Sequence, residues 1–251
     1  MPADTSGDRR VYRITGADRE HFLQGLVSND VRGLSGGIVY AALLTPQGKY
    51  LADFFLVPAG DAILLDVAAG LAEGLVRRLS MYRLRADVQI TPTDLRVTRG
   101  LGPAPAGALA DPRDPSLGWR AYGDADATPP DIDWTAIRVA ALVPESGIEL
   151  VPDDTYILEA GFERLHGVDF RKGCYVGQEV TARMKHKTDL RKGLARVRVE
   201  GQAEPGTPIL TADGKEAGTL FSVAGGRGIA HLRFDRAEGV LQAGSARVTP
   251  D

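Results

Sequence analysis

Cys174 is the sole cysteine of the 251-residue chain, and it sits in R-K-G-C-Y-V-G-Q-E-V-T-A-R-M-K-H, residues 171–186. Thiol chemistry requires the thiolate, which a helix N-terminus or a neighbouring cation stabilises. The segment offers both. Residues from Gln178 onward read as the first turns of a helix, with Gly177 as a cap and Glu179 suited to the positive end of its dipole. Cys174 falls just before that end, with Lys172 and Arg183 as nearby cations. Gly173 and Gly177 would let another backbone or a flat ligand approach closely. The plainer reading is a buried, inert cysteine between glycines that only turn the chain. Between residues 171 and 192, seven cations (Arg171, Lys172, Arg183, Lys185, Lys187, Arg191, Lys192) stand against two anions, Glu179 and Asp189. Such a local excess suits a carboxylate-tailed ligand, a phosphate or an acidic protein surface; its bland reading is a solvated helix face.

Other chemistries lack their residues. His21, His166, His186 and His231 are not at metal-ligand spacing and no Cys-x-x-Cys exists, so no metal site is expected. Neither a G-x-S-x-G elbow, a P-loop nor G-x-G-x-x-G occurs. GGRG at 225–228 reads as a turn between strands. One cysteine excludes an internal disulfide framework. Hydrophobic residues make up 43% and charged residues 25% of the chain, as in soluble globular proteins. A net charge of −3 argues against a nucleic-acid partner. No run nears the roughly 18 apolar residues of a membrane span, so no membrane partner is expected. The polar start M-P-A-D-T-S-G-D-R-R lacks the apolar core of a secretory signal, and a cytosolic protein follows; a removed organelle transit peptide stays compatible.

The elements that must position these residues are legible from periodicity. Residues 11–15 read as a strand and 17–27 as a helix. Residues 38–57 read as a hairpin turned at Thr45-Pro46-Gln47-Gly48. A strand follows at 62–67, then a helix at 71–84 with Leu71, Leu75, Leu79 and Tyr82 on one face. Residues 86–90 and 95–100 extend the sheet, giving an α+β unit. The Gly/Pro/Ala-dense stretch 100–115 reads as a loop or subdomain boundary. Strands are expected at 116–123 and 136–144, and helical pieces over 154–187 broken by Gly161, Gly167 and Gly173. From Lys192 the chain becomes short strands cut by Gly-rich turns, Asp213-Gly214 among them, as in a small antiparallel barrel.

Lys172 to Glu179, K-G-C-Y-V-G-Q-E, resembles the K-G-C-Y-x-G-Q-E signature of YgfZ-type folate-binding proteins, in the superfamily of the glycine-cleavage T-protein, an aminomethyltransferase. F-L-Q-G-L-V-S-N-D-V (22–31), L-L-T-P-Q-G-K-Y-L-A-D-F (43–54), Y-R-L-R-A-D-V-Q-I (82–90) and L-E-A-G-F-E-R-L-H-G-V-D-F (158–170) resemble further family segments, in order along the chain. The resemblance implies a cloverleaf of three subdomains around a central channel, with residues 1–190 forming a folate-binding region and 191–251 a C-terminal antiparallel β-barrel. It implies tetrahydrofolate, or a one-carbon derivative, as cofactor. Glu159 would bond the pterin, since a carboxylate accepts two parallel N–H bonds. Arg191, with Lys192 next, would meet the glutamyl tail. Asn29, Asp30 and Gln178 are further cofactor-contact candidates; for Asn29 and Asp30 a cap-and-turn role is as well supported.

T-proteins carry paired Asp-Asp on the second hairpin strand, where this chain has Ala52-Asp53. Two functions stay open. The first is a folate-dependent accessory factor for iron–sulfur cluster assembly or repair, with Cys174 as a redox or exchange thiol. Its clients would be iron–sulfur proteins such as radical-SAM methylthiotransferases. The second is a folate-dependent one-carbon transferase using Asp53, with Cys174 structural. A ligand-free protein adaptor is a third. The resemblance implies a bacterial, cytoplasmic monomer, or a mitochondrial matrix protein if eukaryotic.

Overall fold

The computed structural model describes residues 9–123, 131–187 and 190–251. Asp189, most of the polar N-terminal stretch (residues 1–8) and the side chain of Lys187 lie outside the described residues. The first layer is β1 (Arg9–Thr15), α1 (Arg19–Gln24), β2 (Val39–Leu44), β3 (Tyr50–Ala59), β4 (Ala62–Ala68), α2 (Ala69–Tyr82) and β5 (Gln89–Pro92). Its five strands form an antiparallel sheet in the order β2-β3-β4-β1-β5.

The hairpin falls where the sequence puts it. The Gly48 N–H donates to the Thr45 carbonyl, and Gly48 takes the positive φ that a side chain would resist. The central strands read as unbroken apolar runs because both faces of the sheet are covered. Val39, Ala41, Leu43, Phe54 and Leu56 face a core shared with Phe22, Leu23, Leu75 and Leu79. Tyr40, Ala42, Leu44, Phe55 and Val57 face a second core built with Val143, Ile157, Phe162, Leu165 and Tyr175. That second core holds the candidate site residues in place.

Four expectations need correction. Of the segments expected to extend the sheet, β5 does so, but β6 (Arg96–Gly100) joins a separate three-stranded sheet with β7 (Leu109–Ala110) and β8 (Trp119–Gly123), in the order β6-β8-β7. β7 lies within the stretch assigned as loop. Residues 136–144 do not form a strand: α3 (Trp134–Ala141) occupies them. The Asp133 carboxylate caps α3 by accepting from the Ala136 N–H, alanine sustains it, and Leu142 ends it in the left-handed region. Residues 154–176 form successive turns instead of helical pieces, and only α4 (Gln178–Lys187) is a helix. Of the residues read on one face of α2, Leu75 and Leu79 are buried and Tyr82 is exposed.

The C-terminal strands β9 (Lys192–Glu200), β10 (Thr207–Leu210), β11 (Glu216–Ala224), β12 (Arg227–Arg233), β13 (Leu241–Ala243) and β14 (Ala246–Pro250) close into a six-stranded antiparallel barrel. Its core is its own, centred on Val197, Ile209, Leu220, Leu232 and Val248. Arg138 of α3 joins barrel to body. Its guanidinium reaches Glu145 at 2.7 Å, the Val143 carbonyl at 2.9 Å and the Ser222 hydroxyl on β11 at 3.1 Å.

Candidate functional site

The Cys174 loop is anchored on both sides of an exposed thiol. Before it, Lys172 is buried and its ammonium donates to the Gln24 and Val27 carbonyls, both at 2.6 Å. Burial pushes the Lys172 ammonium down to about 8, against the pull of Asp30 and Asp169. Gln24 returns the contact, donating to the Lys172 carbonyl at 3.3 Å. After the thiol, Tyr175 is buried, and burial pushes its phenol up to about 12. Gly177 then lies against the hairpin turn, where an added Cβ would stand 2.6 Å from the Thr45 carbonyl. This is the close backbone approach that the glycine allows. Gly173, also at positive φ, has open space around it. The buried-cysteine reading is therefore set aside.

The cations expected to serve the thiol are committed elsewhere. Lys172 holds its two carbonyls, and Arg183 pairs with Glu179 at 2.8 Å across one turn of α4. Lys185 pairs with Glu163 at 2.6 Å. Among the described residues, Arg171 and Arg191 are exposed and make no ion pair. Gln178 closes the turn before α4, accepting from the Tyr175 N–H at 3.3 Å.

Asn29 and Asp30 lie beside this loop through Gln24, which donates to Asp30 Oδ1 at 3.1 Å. Their bonds differ in range. Asn29 Nδ2 donates to the carbonyls of Tyr40 at 2.8 Å and His166 at 2.7 Å. Asp30 caps a 3-10 turn and grips the Arg32 guanidinium, whose bonds hold its carboxyl at about 2. Asp30 works as a cap, whereas Asn29 ties its segment to β2 and to the distant turn at His166.

Asp53 is 2% exposed and receives three hydroxyls: Tyr50 at 2.7 Å and Ser146 at 2.6 Å on Oδ1, and Tyr40 at 3.0 Å on Oδ2. Burial, then the Asp53 charge, pushes both phenols well above their ordinary range. The protein's own hydroxyls engage both oxygens of this carboxylate.

Glu159 occupies a different place, a cleft of about 120 Å³ between the body and the barrel. Its side chain is 10% exposed and meets His231 Nε2 at 3.3 Å and Lys192 Nζ at 3.5 Å. Thr155, Thr219, Glu149 and Asp154 also line the cleft. Gly193 lets β9 pass close to the Glu159 backbone, and the Leu194 N–H donates to its carbonyl at 2.7 Å. Glu159 and Lys192 are thus brought together, with Arg191 adjacent in the chain. A carboxylate acceptor beside cations fits the two ends of a folate in chemistry. The volume is below the roughly 300–1,000 Å³ of small-molecule pockets, so the cleft admits a ring edge and not a whole folate.

A buried ionic cluster went unread in the sequence. Asp66 of β4, Asp111, Arg113 and Arg120 of β8 are all buried. Arg120 reaches Asp66 at 2.6 Å and Asp111 at 3.3 Å. Arg113 pairs with Asp111 at 2.8 Å, and Arg9 with Asp66 at 2.6 Å. Burial raises the Asp111 carboxyl, yet the Arg113 and Arg120 charges outweigh it and hold it at about 2. The Arg113 and Arg120 guanidiniums also lie over the Phe55 ring, at 4.8 and 4.0 Å. The cluster thereby ties the second sheet to the core beneath Tyr40 and Asp53. The available signal was Asp66 alone within an apolar strand, because a buried carboxylate demands a partner.

Residues 191–251 match the CAF17 C-terminal beta-barrel domain. The chain is 31% identical to the mouse mitochondrial iron–sulfur cluster assembly factor IBA57, over 93% of this chain and 78% of that protein. The human protein of the same name gives 31% with the same coverage. A Mycosarcoma maydis mitochondrial IBA57 homologue is 35% identical over 73% of the chain, which spans 54% of that relative's length. Glycine cleavage system aminomethyltransferase T from Bartonella henselae superposes with a TM-score of 0.74, at 12% identity, over 97% of this chain and 82% of that one. The two share a fold.

Proposed function

We propose, from the premise that the chain belongs to the IBA57 family of iron–sulfur cluster assembly factors, that it is a YgfZ-type accessory factor presenting Cys174 to client iron–sulfur proteins. The observation that carries the reading is the contrast between its two reactive candidates. Cys174 stands exposed on a loop anchored by Lys172, Tyr175 and Gly177. Asp53, on which one-carbon transfer would depend, is sealed by three hydroxyls. A thiol held in place at the surface can meet another protein's cluster as an exchange thiol. A carboxylate that is 2% exposed, with three of its roughly four acceptor sites taken, offers a folate nitrogen little access. The exposed Arg171 and Arg191 favour an acidic client surface.

The second part of the reading is a tetrahydrofolate at Glu159. A bound folate would supply a reducing pterin and an anionic tail. Glu159 would accept the pterin N–H groups in place of His231 and Lys192, freeing Lys192 to join Arg191 at the tail. The mitochondrial names of the relatives support the matrix as its compartment in a eukaryotic host. The shared fold with an aminomethyltransferase keeps the transferase as the second reading. Titration of tetrahydrofolate into the wild type and Glu159→Ala tests the ligand. Losing a charge-assisted hydrogen bond should weaken binding at least tenfold, from about 1.5–3 kcal/mol per bond. Equal binding by both would remove Glu159 from the site, and no binding by the wild type would leave a protein adaptor.

A further inference from the structure

The end of α2 carries a surface that neither the thiol nor the Glu159 cleft uses. Met81 is 71%, Tyr82 43% and Leu84 89% exposed, three large apolar side chains within four residues. Scattered exposed apolar residues are ordinary, but a contiguous group is not. Four arginines surround them, at 77, 78, 83 and 85, and no acid lies between Glu73 and Asp87. Among the described residues, Arg77, Arg78 and Arg85 are exposed and make no ion pair or hydrogen bond.

The tip is held in shape. Arg83 to Ala86 form a turn closed by the Ala86 N–H to the Arg83 carbonyl at 2.8 Å. The Arg83 guanidinium braces it by donating to the Val88 carbonyl at 3.3 Å. Leu84 takes φ +45°, a conformation disfavoured for a residue with a Cβ. The base of the turn is fastened to the β1–α1 connection. The Ala17 N–H donates to the Asp87 carboxylate at 3.0 Å, and the Asp87 N–H to the Asp18 carboxylate at 2.8 Å. The backbone thus keeps a leucine in a strained conformation where its side chain gains nothing from the fold.

We infer that this tip is a peripheral docking surface for an anionic phospholipid bilayer. Leu84 and Met81 would enter the acyl boundary, with Tyr82 at headgroup level and the free guanidiniums on lipid phosphates. A bilayer is favoured because the exposed apolar side chains stand in sequence among four arginines with no acid between Glu73 and Asp87, a composition that complements an anionic lipid surface. The sequence expectation of no membrane partner rested on the lack of an apolar span, which a peripheral contact does not need. The surface is independent of the folate and thiol readings.

The test is co-sedimentation of the full-length protein with vesicles of phosphatidylcholine alone or equimolar phosphatidylcholine and phosphatidylglycerol. The wild type should sediment with the anionic vesicles only and come off as salt rises. Arg77→Gln/Arg78→Gln/Arg85→Gln should weaken binding roughly a hundredfold, at about fivefold per arginine. Leu84→Ser should weaken it about tenfold. All these side chains are exposed, so thermal melts should stay at the wild-type value and separate lost docking from lost folding. Absence of binding to either vesicle, or undiminished binding by both variants, would overturn the proposal. So would retention of the wild type on poly-glutamate beads without binding to vesicles, which would assign the tip to an acidic protein.

Discussion

The cluster around Arg120 and the loop around Cys174 both gather charge, and they are built in opposite ways. In the first, Asp66, Asp111, Arg113 and Arg120 are buried and answer one another with ion pairs. In the second, Lys172 is buried against backbone carbonyls, while Arg183 and Lys185 hold exposed carboxylates and Arg171 and Arg191 stand in solvent. Burial decides what a charge does. Buried ions cannot be separated without leaving one unpaired in a poor solvent for it, so they commit the fold. Exposed ions are screened and exchange readily with water or a partner, so they contribute little to stability and remain available for recognition.

The largest effect should come from breaking the buried cluster. Arg120→Ala leaves Asp66 and Asp111 short of a cation, at a cost of about 3–5 kcal/mol. A thermal melt should fall by on the order of 10 °C. An unchanged melt would place the cluster in contact with water.

Acid reads the same cluster without mutating the arginine. The Asp111 carboxyl titrates at about 2 in the fold, below its unfolded value of about 3.9. A depressed carboxyl contributes stability that is complete above its unfolded value and is lost as pH falls through its folded value. Asp111→Asn should therefore be less stable than the wild type near neutrality by on the order of 2 kcal/mol, and the gap should close between about pH 5 and pH 2. Urea melts across that range measure it.

The loop should show smaller changes. Lys172→Met strands the Gln24 and Val27 carbonyls and should cost about 1–2 kcal/mol. Arg183→Ala, which breaks an exposed pair within α4, should cost no more than about 0.5 kcal/mol. Urea midpoints for the two variants rank them; the reverse order would contradict the distinction between the two cations.

How much of this was legible follows from the range of each interaction. The Thr45–Gly48 turn and the barrel's Gly-rich turns carry their signals within a few residues, so both were readable. The apolar residues Ile137, Val139, Leu142 and Val143 suggested a strand, while the Asp133 cap that starts α3 was passed over. The turns at 154–176 read as helices in the sequence because glycine-broken apolar spacing looks alike in both. The pairing of Asp66 with Arg120 spans 54 residues, and nothing local announces it. Cys174 announces itself as the sole cysteine in a cation-rich stretch, whereas Glu159 and the tail-contact role of Lys192 come only with the family resemblance. The occupation of Asp53 by Tyr40, Tyr50 and Ser146 depends on side chains from distant segments and emerged only in the fold.

The most direct test of the account compares Cys174→Ala with Asp53→Asn in cells lacking the native protein, with the activity of iron–sulfur enzymes as readout. Cys174→Ala should keep the wild-type melt and lose the function, because the exposed thiol supports no packing. Asp53→Asn should retain activity in proportion to the folded protein that remains. Full activity from Cys174→Ala, with none from a well-folded Asp53→Asn, would contradict the accessory-factor account and return the protein to one-carbon transfer.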